Sequence, residues 1–145
     1  DAQPKLRLSR PTNHLEAILS FYVDGLGFEV LDRFDNQQGW DGVILGTETG
    51  PTIEFTARRD ESVVPPAPTP EHFLVFCIPE GEYWQKRLKA LFEAGFQQVT
   101  LPSSMPTKAQ PLTRTLTAIE WYSVAADGKN KGTVFAVTKP DGNGA

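Results

Sequence analysis

Few side chains in this chain are suited to covalent or proton-transfer chemistry. The 145 residues include two histidines, His14 and His72, and one cysteine, Cys77. Cys77 lies among apolar strand residues, which predicts a buried, unreactive thiol rather than a nucleophile. His14 lies at the start of the first predicted helix, where a solvated polar role is expected. Nucleophilic catalysis by cysteine is therefore not indicated.

Composition and charge exclude several classes of function. A net charge of −4 with scattered basic residues argues against a nucleic-acid surface, because phosphate binding is supplied mainly by clustered Lys and Arg. No apolar run approaches the roughly 20 residues of a membrane-spanning helix. A lone cysteine cannot form an internal disulfide, and no signal-peptide pattern opens the chain, so a cytoplasmic protein is expected.

The sequence contains two similar halves. Residues 6–31 and residues 72–99 each run from an apolar strand through a helix to a Gly-Phe turn and a new strand. The repeat predicts an α+β fold of two βαβββ modules, residues 6–60 and residues 71–138. A Pro-rich linker, 61–70, joins them as a stiff spacer or, alternatively, as a peptide-recognition motif. With 39% hydrophobic content, the whole chain, 1–145, is expected to form one domain.

The helices are predicted from periodicity and from their end signals. Apolar residues in segment 14–24 recur at the i, i+3, i+4 spacing of a helix that packs one face on a sheet. Thr12 or Asn13 is the expected N-cap, and Gly25 is expected to end the helix in the left-handed conformation. Gly95 ends the second helix in the same way. The predicted strands are 28–34, 42–45, 52–56, 73–78, 97–101, 115–123 and 132–138. Gly-rich or Asn-rich segments, 36–39, 46–50 and 127–132, are predicted as turns between them.

Three segments resemble a known superfamily. Residues 20–28 read Ser-Phe-Tyr-x-x-Gly-Leu-Gly-Phe and are similar to the signature after the first helix of the vicinal oxygen chelate superfamily. That superfamily includes glyoxalases, bleomycin-resistance proteins and extradiol dioxygenases. Residues 53–55 resemble its fourth strand, and residues 72–76 resemble its fifth. The segments that look most like a small glyoxalase-like subgroup without a settled activity are 10–12, 41–43 and 54–56.

The resemblance implies a site, a fold and an assembly. Metal-dependent members place His, Gln or Glu at four inward strand positions around one divalent ion, in a cleft shared by two curled mixed sheets. Here those positions carry Arg7, Glu54, His72 and Val134. Only Glu54 and His72 can act as ligands, since Arg7 is a cation and Val134 has no donor atom. Equivalent halves would match Glu54 with Val134 and Arg7 with His72. The resemblance also implies a homodimer.

The ligand count predicts a weak metal site. Two protein ligands are too few for tight binding, so the protein is expected to be metal-free as purified, although Zn, Ni, Fe or Mn could bind. Glu120, in an apolar strand, is a candidate third ligand or general base. Replacing Arg7 with histidine is expected to strengthen metal binding, because it supplies a donor and removes an opposing charge.

The residues themselves leave alternatives open. Glu54 and His72 are interpreted as a hydrogen-bonded structural pair, as metal ligands, or as acid/base groups without a metal. Arg7 either pairs with the Glu54 carboxylate or holds a carboxylate or phosphate of a ligand. Several aromatic residues are candidates to line the cleft and bind a ligand, although at least half of all such aromatics are expected in the core. These are Trp40, Phe55 and Trp121, with Phe34, Phe73 and Phe135.

Two functions from different classes follow as hypotheses. The first is a glyoxalase-like lyase, isomerase or dioxygenase that acts on a small oxygenated or aromatic molecule, with Glu54 and His72 as catalytic groups. The second is a metal-free binding protein of the bleomycin-resistance kind, in which Arg7 binds a negatively charged group of the ligand. Segment 102–132 departs from the superfamily pattern, and its Pro-rich beginning is interpreted as a lid or as a surface loop.

Overall fold

The computed structural model describes the greater part of the chain, as two compact units, residues 1–64 and residues 65–145. The described residues are 3–46, 50–60, 62–64, 74–79, 81–99, 114–120 and 133–138. Most of the predicted linker 61–70 and of segment 102–132 lies outside them, as does the turn 127–132. No helix in this described part has the length and apolar character needed to cross a membrane.

The first unit is a four-stranded mixed sheet with one helix. Its elements are β1 (Arg7–Pro11), α1 (Leu15–Leu19), β2 (Glu29–Gln37), β3 (Trp40–Gly46) and β4 (Thr52–Arg58). The strand order is β1-β4-β3-β2, with β1 parallel to β4 and the other neighbours antiparallel. The first strand therefore lies beside the last, as a βαβββ module with a crossover helix allows.

One face of this sheet packs against the helix. Along β4, Ile53 and Phe55 are buried, while the residues that alternate with them are only half-buried, because successive strand side chains point to opposite faces. The ring of Tyr22 lies 5.2 Å from that of Phe55 and 5.6 Å from that of Phe28. Burying a large apolar side chain contributes about 1.5–3 kcal/mol, so this aromatic cluster is a main source of the unit's stability.

The first helix begins one or two residues later than predicted, and the left-handed residue after it is displaced. Neither Thr12 nor Asn13 is its N-cap: that residue is His14, whose backbone N–H donates to Thr12 Oγ1 at 3.0 Å. The helix continues as a π-helical stretch, Ser20–Gly25, so it does end at Gly25 as predicted. Gly25 is not left-handed, however: the left-handed residue is Gly27, with φ of 80°.

The described part of the second unit forms a three-stranded antiparallel sheet and one helix. It contains β5 (Leu74–Ile78), α2 (Glu82–Glu93), β6 (Arg114–Glu120) and β7 (Thr133–Thr138), in the order β5-β6-β7. Gly95, with φ of 89°, follows α2 as predicted. Trp84, Leu91 and Phe135 are buried, and the Phe92 ring lies 5.6 Å from that of Phe135. Cys77 is exposed, so the prediction of a buried thiol is wrong. Exposure alternates along β5, and Cys77 lies at one of its exposed positions.

The α+β class is confirmed, but the described strands of the two units are ordered differently. In the first unit the first strand neighbours the last, whereas in the second β5 pairs with β6. The predicted strand 97–101 is represented among the described residues by one parallel bridge, from Gln98 to Phe135. Glu54 lies in β4, the strand next to β1, so its predicted counterpart Val134 should lie in the strand next to β5. Val134 lies in β7, which pairs with β6, so the strand order does not support this equivalence.

Candidate functional site

The candidate site lies on the face of the first unit's sheet opposite α1, which we call the polar face. Residues in register on neighbouring strands share a face, so the pairings of β1 with β4, of β4 with β3 and of β3 with β2 define it. Its residues include Arg7, Ser9, Phe34, Trp40, Gly42, Ile44, Thr52, Glu54, Thr56 and Arg58. Asp32, in register with Ile44, and Glu29, in register with Gly46, add further carboxylates.

Glu54 is half-buried on the inner strand β4, between β1 and β3. Its register partners are Ser9 on one side and Ile44 on the other. The Ser9 hydroxyl donates a hydrogen bond to Glu54 Oε1 at 2.9 Å. An apolar neighbour and a hydroxyl neighbour thus flank the carboxylate, and the hydroxyl supplies the hydrogen bond that a partly desolvated charge requires.

Arg7 does not pair with Glu54, so the predicted internal ion pair is absent. Arg7 Nε donates to the Thr52 hydroxyl at 3.2 Å instead. The reason is register: Arg7 lies opposite Thr52, two residues from Glu54, which is about 7 Å along the strand. Arg7 therefore lies on the polar face, and its guanidinium contacts the neutral Thr52 hydroxyl.

Trp40 and Arg58 form the other end of the polar face. They are register partners at the ends of β3 and β4. The guanidinium carbon of Arg58 lies 4.7 Å from the centroid of the Trp40 ring, which is within cation–π range. Trp40 is half-buried and Arg58 is exposed. Trp40 therefore lies on the polar face, and its predicted role in ligand binding stays a prediction.

Phe55 is not a ligand-binding residue of this face. It is 0% exposed and packs against Tyr22 on the helix side of the sheet. Phe55 follows Glu54 directly, and neighbouring strand residues cannot share a face. Phe34, by contrast, does lie on the polar face, with its ring against Gly42. Phe135 is fully buried in the second unit's core.

Trp40 follows the turn of a hairpin, and the Asp41 carboxylate, on the helix side of the sheet, stabilises that hairpin. The predicted turn segment 36–39 contains a two-residue hairpin turn between β2 and β3, in which Gln38 and Gly39 have φ of 54° and 89°. Asp41 Oδ1 accepts hydrogen bonds from the Asn36 N–H and from Arg59 Nε, each at 2.8 Å. The Asn36 hydrogen bond, followed by that of Arg59, holds the pKa of Asp41 below its ordinary value.

Comparison with known proteins places the chain in a family. A profile of the YycE-like N-terminal domain matches residues 6–56. The uncharacterized protein YycE of Bacillus subtilis (strain 168) is 32% identical over 96 residues, which are 66% of this chain and 68% of that protein. This chain belongs to the YycE-like family.

A solved relative confirms the fold of this YycE-like protein. The crystal structure of a Bacillus subtilis YycE protein matches with a TM-score of 0.65 and 26% identity, over 97% of this chain and 91% of that one. The relative is of unknown function and is assigned provisionally to the glyoxalase/fosfomycin resistance proteins. The predicted resemblance to the vicinal oxygen chelate superfamily is thereby confirmed at the level of family and fold.

The described part of this YycE-like chain does not fit a divalent metal ion. It contains no group of three His, Cys, Asp or Glu side chains placed to hold one. Beside the Glu54 carboxylate the polar face offers a neutral hydroxyl, from Ser9, and a guanidinium, from Arg7. A hydroxyl is a weak ligand and a guanidinium has no lone pair to donate.

Three predicted site residues do not belong to the described part of the first unit. His72 and Trp121 lie outside the described residues. Glu120 belongs to β6, where its backbone pairs with Thr133. His14 is exposed at the start of α1, as predicted.

Sequence reasoning missed Ser9, Thr52 and Arg58. The signal for two of them is in β4, where Thr52, Glu54 and Arg58 are spaced by even numbers of residues and must share a face. Ser9 could not be found in this way, because its place beside Glu54 depends on the register between β1 and β4.

Proposed function

We propose that this YycE-like protein binds a small oxygenated molecule on the polar face of the first unit. Glu54 and Ser9 supply hydrogen-bonding groups, and Arg7 supplies a cation for a negatively charged group of the ligand. The observation that carries the proposal is the Ser9–Glu54 hydrogen bond on an inner strand, at 2.9 Å, on the face away from the helix. The relative's provisional assignment to the glyoxalase/fosfomycin resistance proteins supports it.

The donor set favours ligand recognition over metal chemistry. A carboxylate accepts hydrogen bonds, a hydroxyl both donates and accepts, and a guanidinium binds oxyanions. Together these groups can recognise a molecule that carries a hydroxyl and an acidic oxygen. Among the described residues, Glu54 receives one side-chain hydrogen bond, from Ser9, which leaves acceptor capacity on the carboxylate for a ligand.

Ligand screening by ¹⁵N NMR tests the proposal. Small hydroxy acids, diols and phosphonates would be added one at a time, and backbone amide shifts would be followed at Ser9, Thr52 and Glu54. We expect a binding compound to shift these amides in the wild type and to bind at least about tenfold more weakly to Glu54→Gln, because a charged hydrogen bond contributes roughly 1.5–3 kcal/mol.

The matched control is Glu16→Gln, which removes the same charge from an exposed helix position paired with Arg33. Equal loss of binding in both variants would contradict a site at Glu54. Elemental analysis of protein purified without chelator addresses the enzyme hypothesis. Stoichiometric metal that is lost on His72→Ala would replace the binding proposal with a metal-dependent one.

A further inference from the structure

The described arginine contacts of the first unit differ between the two faces of its sheet. On the helix side, Arg33 Nη2 lies 3.2 Å from Glu16 Oε1, and Arg59 Nε lies 2.8 Å from Asp41 Oδ1. On the polar face, Arg58 contacts a neutral aromatic ring instead. No hydrogen bond or ion pair of Arg58 occurs within the described part of the chain.

The carboxylate closest to Arg58 in sequence is engaged elsewhere. Asp60 Oδ1 accepts hydrogen bonds from both the hydroxyl and the backbone N–H of Ser62. These two bonds are the main causes of the lowered pKa of Asp60, and the charge of Arg58 is the smallest favourable one. The five N–H donors of the Arg58 guanidinium are therefore not committed to Asp60.

The Trp40 ring holds the Arg58 guanidinium in place. The contact of 4.7 Å covers one side of the guanidinium and restricts a side chain that would otherwise sample many rotamers. The backbone at Trp40 is held in place, because Trp40 follows the Gln38–Gly39 turn directly and the Arg59 backbone N–H donates to Gly39 O at 2.9 Å. A restricted cation loses less entropy when it binds an anion.

We propose that Arg58, held on the Trp40 ring, forms an oxyanion subsite that receives a carboxylate or phosphonate group of the molecule bound on the polar face. The inference rests on the proposed function for the remainder of that molecule. Arg58 lies four residues from Glu54 on β4, about 13 Å along the strand. The ligand class is thus an elongated molecule with two acidic groups, one near Glu54 and Arg7 and a second oxyanion at Arg58.

Fragment binding by NMR tests the subsite, with the Arg58 Nε–H and Trp40 indole N–H signals as reporters. Benzoate is the anionic probe, benzamide is its neutral counterpart, and phenylphosphonate tests the second oxyanion. We expect both anions to shift the two reporters and benzamide to bind at least about tenfold more weakly, since charge-assisted hydrogen bonds are roughly twice as strong as neutral ones.

The variants separate specific binding from general attraction to positive charge. Arg58→Gln is expected to weaken benzoate binding at least about tenfold, and Arg58→Lys is expected to restore only part of it because it lacks the planar fork. Arg33→Gln, with the same charge change on the opposite face, should stay within twofold of the wild type. Benzoate binding that survives Arg58→Gln, or that Arg33→Gln weakens equally, would overturn the subsite.

The two proposals fail in distinguishable ways. If no compound of the hydroxy-acid, diol and phosphonate screen shifts the Ser9 and Glu54 amides, the proposed function fails. Specific benzoate binding at Arg58 in that case still supports an oxyanion site there. If the amides of Ser9 and Glu54 respond but the Arg58 and Trp40 reporters do not, the subsite fails and the proposed function stands.

Discussion

Replacing Gly42 with alanine should displace the Phe34 ring from the polar face. A Cβ atom built on Gly42 would lie 2.2 Å from Phe34 Cζ and 2.5 Å from Cε1. Carbon atoms in contact are separated by about 3.5–4.0 Å, so the ring would have to move by more than about 1 Å. Phe34 is half-buried, which leaves the ring room to swing toward solvent.

Two opposing effects set the size of the change. Overpacking costs typically 1–3 kcal/mol, and we expect about 1.5 kcal/mol here because the displaced ring is partly exposed. Alanine also lowers the entropy of the unfolded chain relative to glycine, a gain of about 0.5 kcal/mol. Gly42→Ala should therefore destabilise the wild type by about 1 kcal/mol and stabilise a Phe34→Ala protein by about 0.5 kcal/mol.

Urea unfolding of the four proteins of this double-mutant cycle measures the coupling. The effects of Gly42→Ala on the wild type and on Phe34→Ala should differ by about 1.5 kcal/mol. This is well above the roughly 0.3–0.5 kcal/mol within which independent sites are additive. Gly39→Ala is the control, because Gly39 has φ of 89° and nothing within 4 Å of a built Cβ. Its cost should be the same with and without Phe34. Additivity of Gly42→Ala and Phe34→Ala would refute the described ring position.

Substitutions at three further positions test the first unit. Phe55→Ala should lower the free energy of unfolding by about 3–5 kcal/mol in urea, because a fully buried ring is lost; a loss below about 1 kcal/mol would contradict its core position. At Gly27, whose φ is 80°, alanine should cost about 1 kcal/mol and asparagine less, since asparagine tolerates the left-handed region; equal costs in thermal denaturation would argue against that conformation. The Asp41 carboxyl has a pKa below its ordinary 3.8, so the stability that it contributes is present above pH 3.8 and is lost as the pH falls toward the lower folded pKa. In urea unfolding at successive pH values, Asp41→Asn should therefore reduce the loss of stability at acid pH. An unchanged loss would exclude the Asn36 and Arg59 contacts as its cause.

Local signals predicted the parts of the fold that short sequence spans determine. The Asn36–Gly39 turn and the Gly95 helix end both depend on residues that accept positive φ, and both occur as predicted. The left-handed residue after the first helix was predicted at Gly25 and lies at Gly27, because a π-helical last turn leaves no mark in an apolar pattern of ordinary helical period.

The buried position of Phe55 could have been predicted from the sequence, whereas the choice between the two alternatives for Arg7 could not. Period-two alternation alone excludes Glu54 and Phe55 from a common face. The partner of Arg7 depends instead on how β1 is registered against β4, and a shift of two residues keeps every side chain on its face while changing each neighbour. No single strand carries that information.

The repeat predicted which elements occur but not which strands become neighbours. Both halves contain a strand, a helix and returning strands, yet β1 pairs with the last strand of its unit whereas β5 pairs with β6. Strand pairing depends on contacts between segments far apart in sequence, which a local pattern of apolar residues does not encode. Residue equivalences between the halves therefore could not be carried over from the repeat.

The register also changes where a metal ligand would have to be introduced. Arg7→His places an imidazole opposite Thr52, about 7 Å along the strand from Glu54, whereas Ser9→His places one directly opposite it. We therefore expect Ser9→His, more than Arg7→His, to gain zinc binding. At zinc concentrations ten times the Kd, binding adds about 1.4 kcal/mol of stability, a rise in Tm of about 4 °C for a chain of this size.

Thermal unfolding with and without zinc tests this comparison, with Ser9→Ala as the control that removes the hydroxyl without adding a donor. The zinc-dependent rise should disappear in the Ser9→His, Glu54→Gln double variant, since the carboxylate is the second ligand. A larger gain from Arg7→His would mean that its side chain reaches Glu54 despite the register, and the recognition geometry argued for Ser9 and Glu54 would then have to be abandoned. A gain in zinc binding confined to Ser9→His would mean that the residue opposite Glu54 determines whether this face can bind a metal ion.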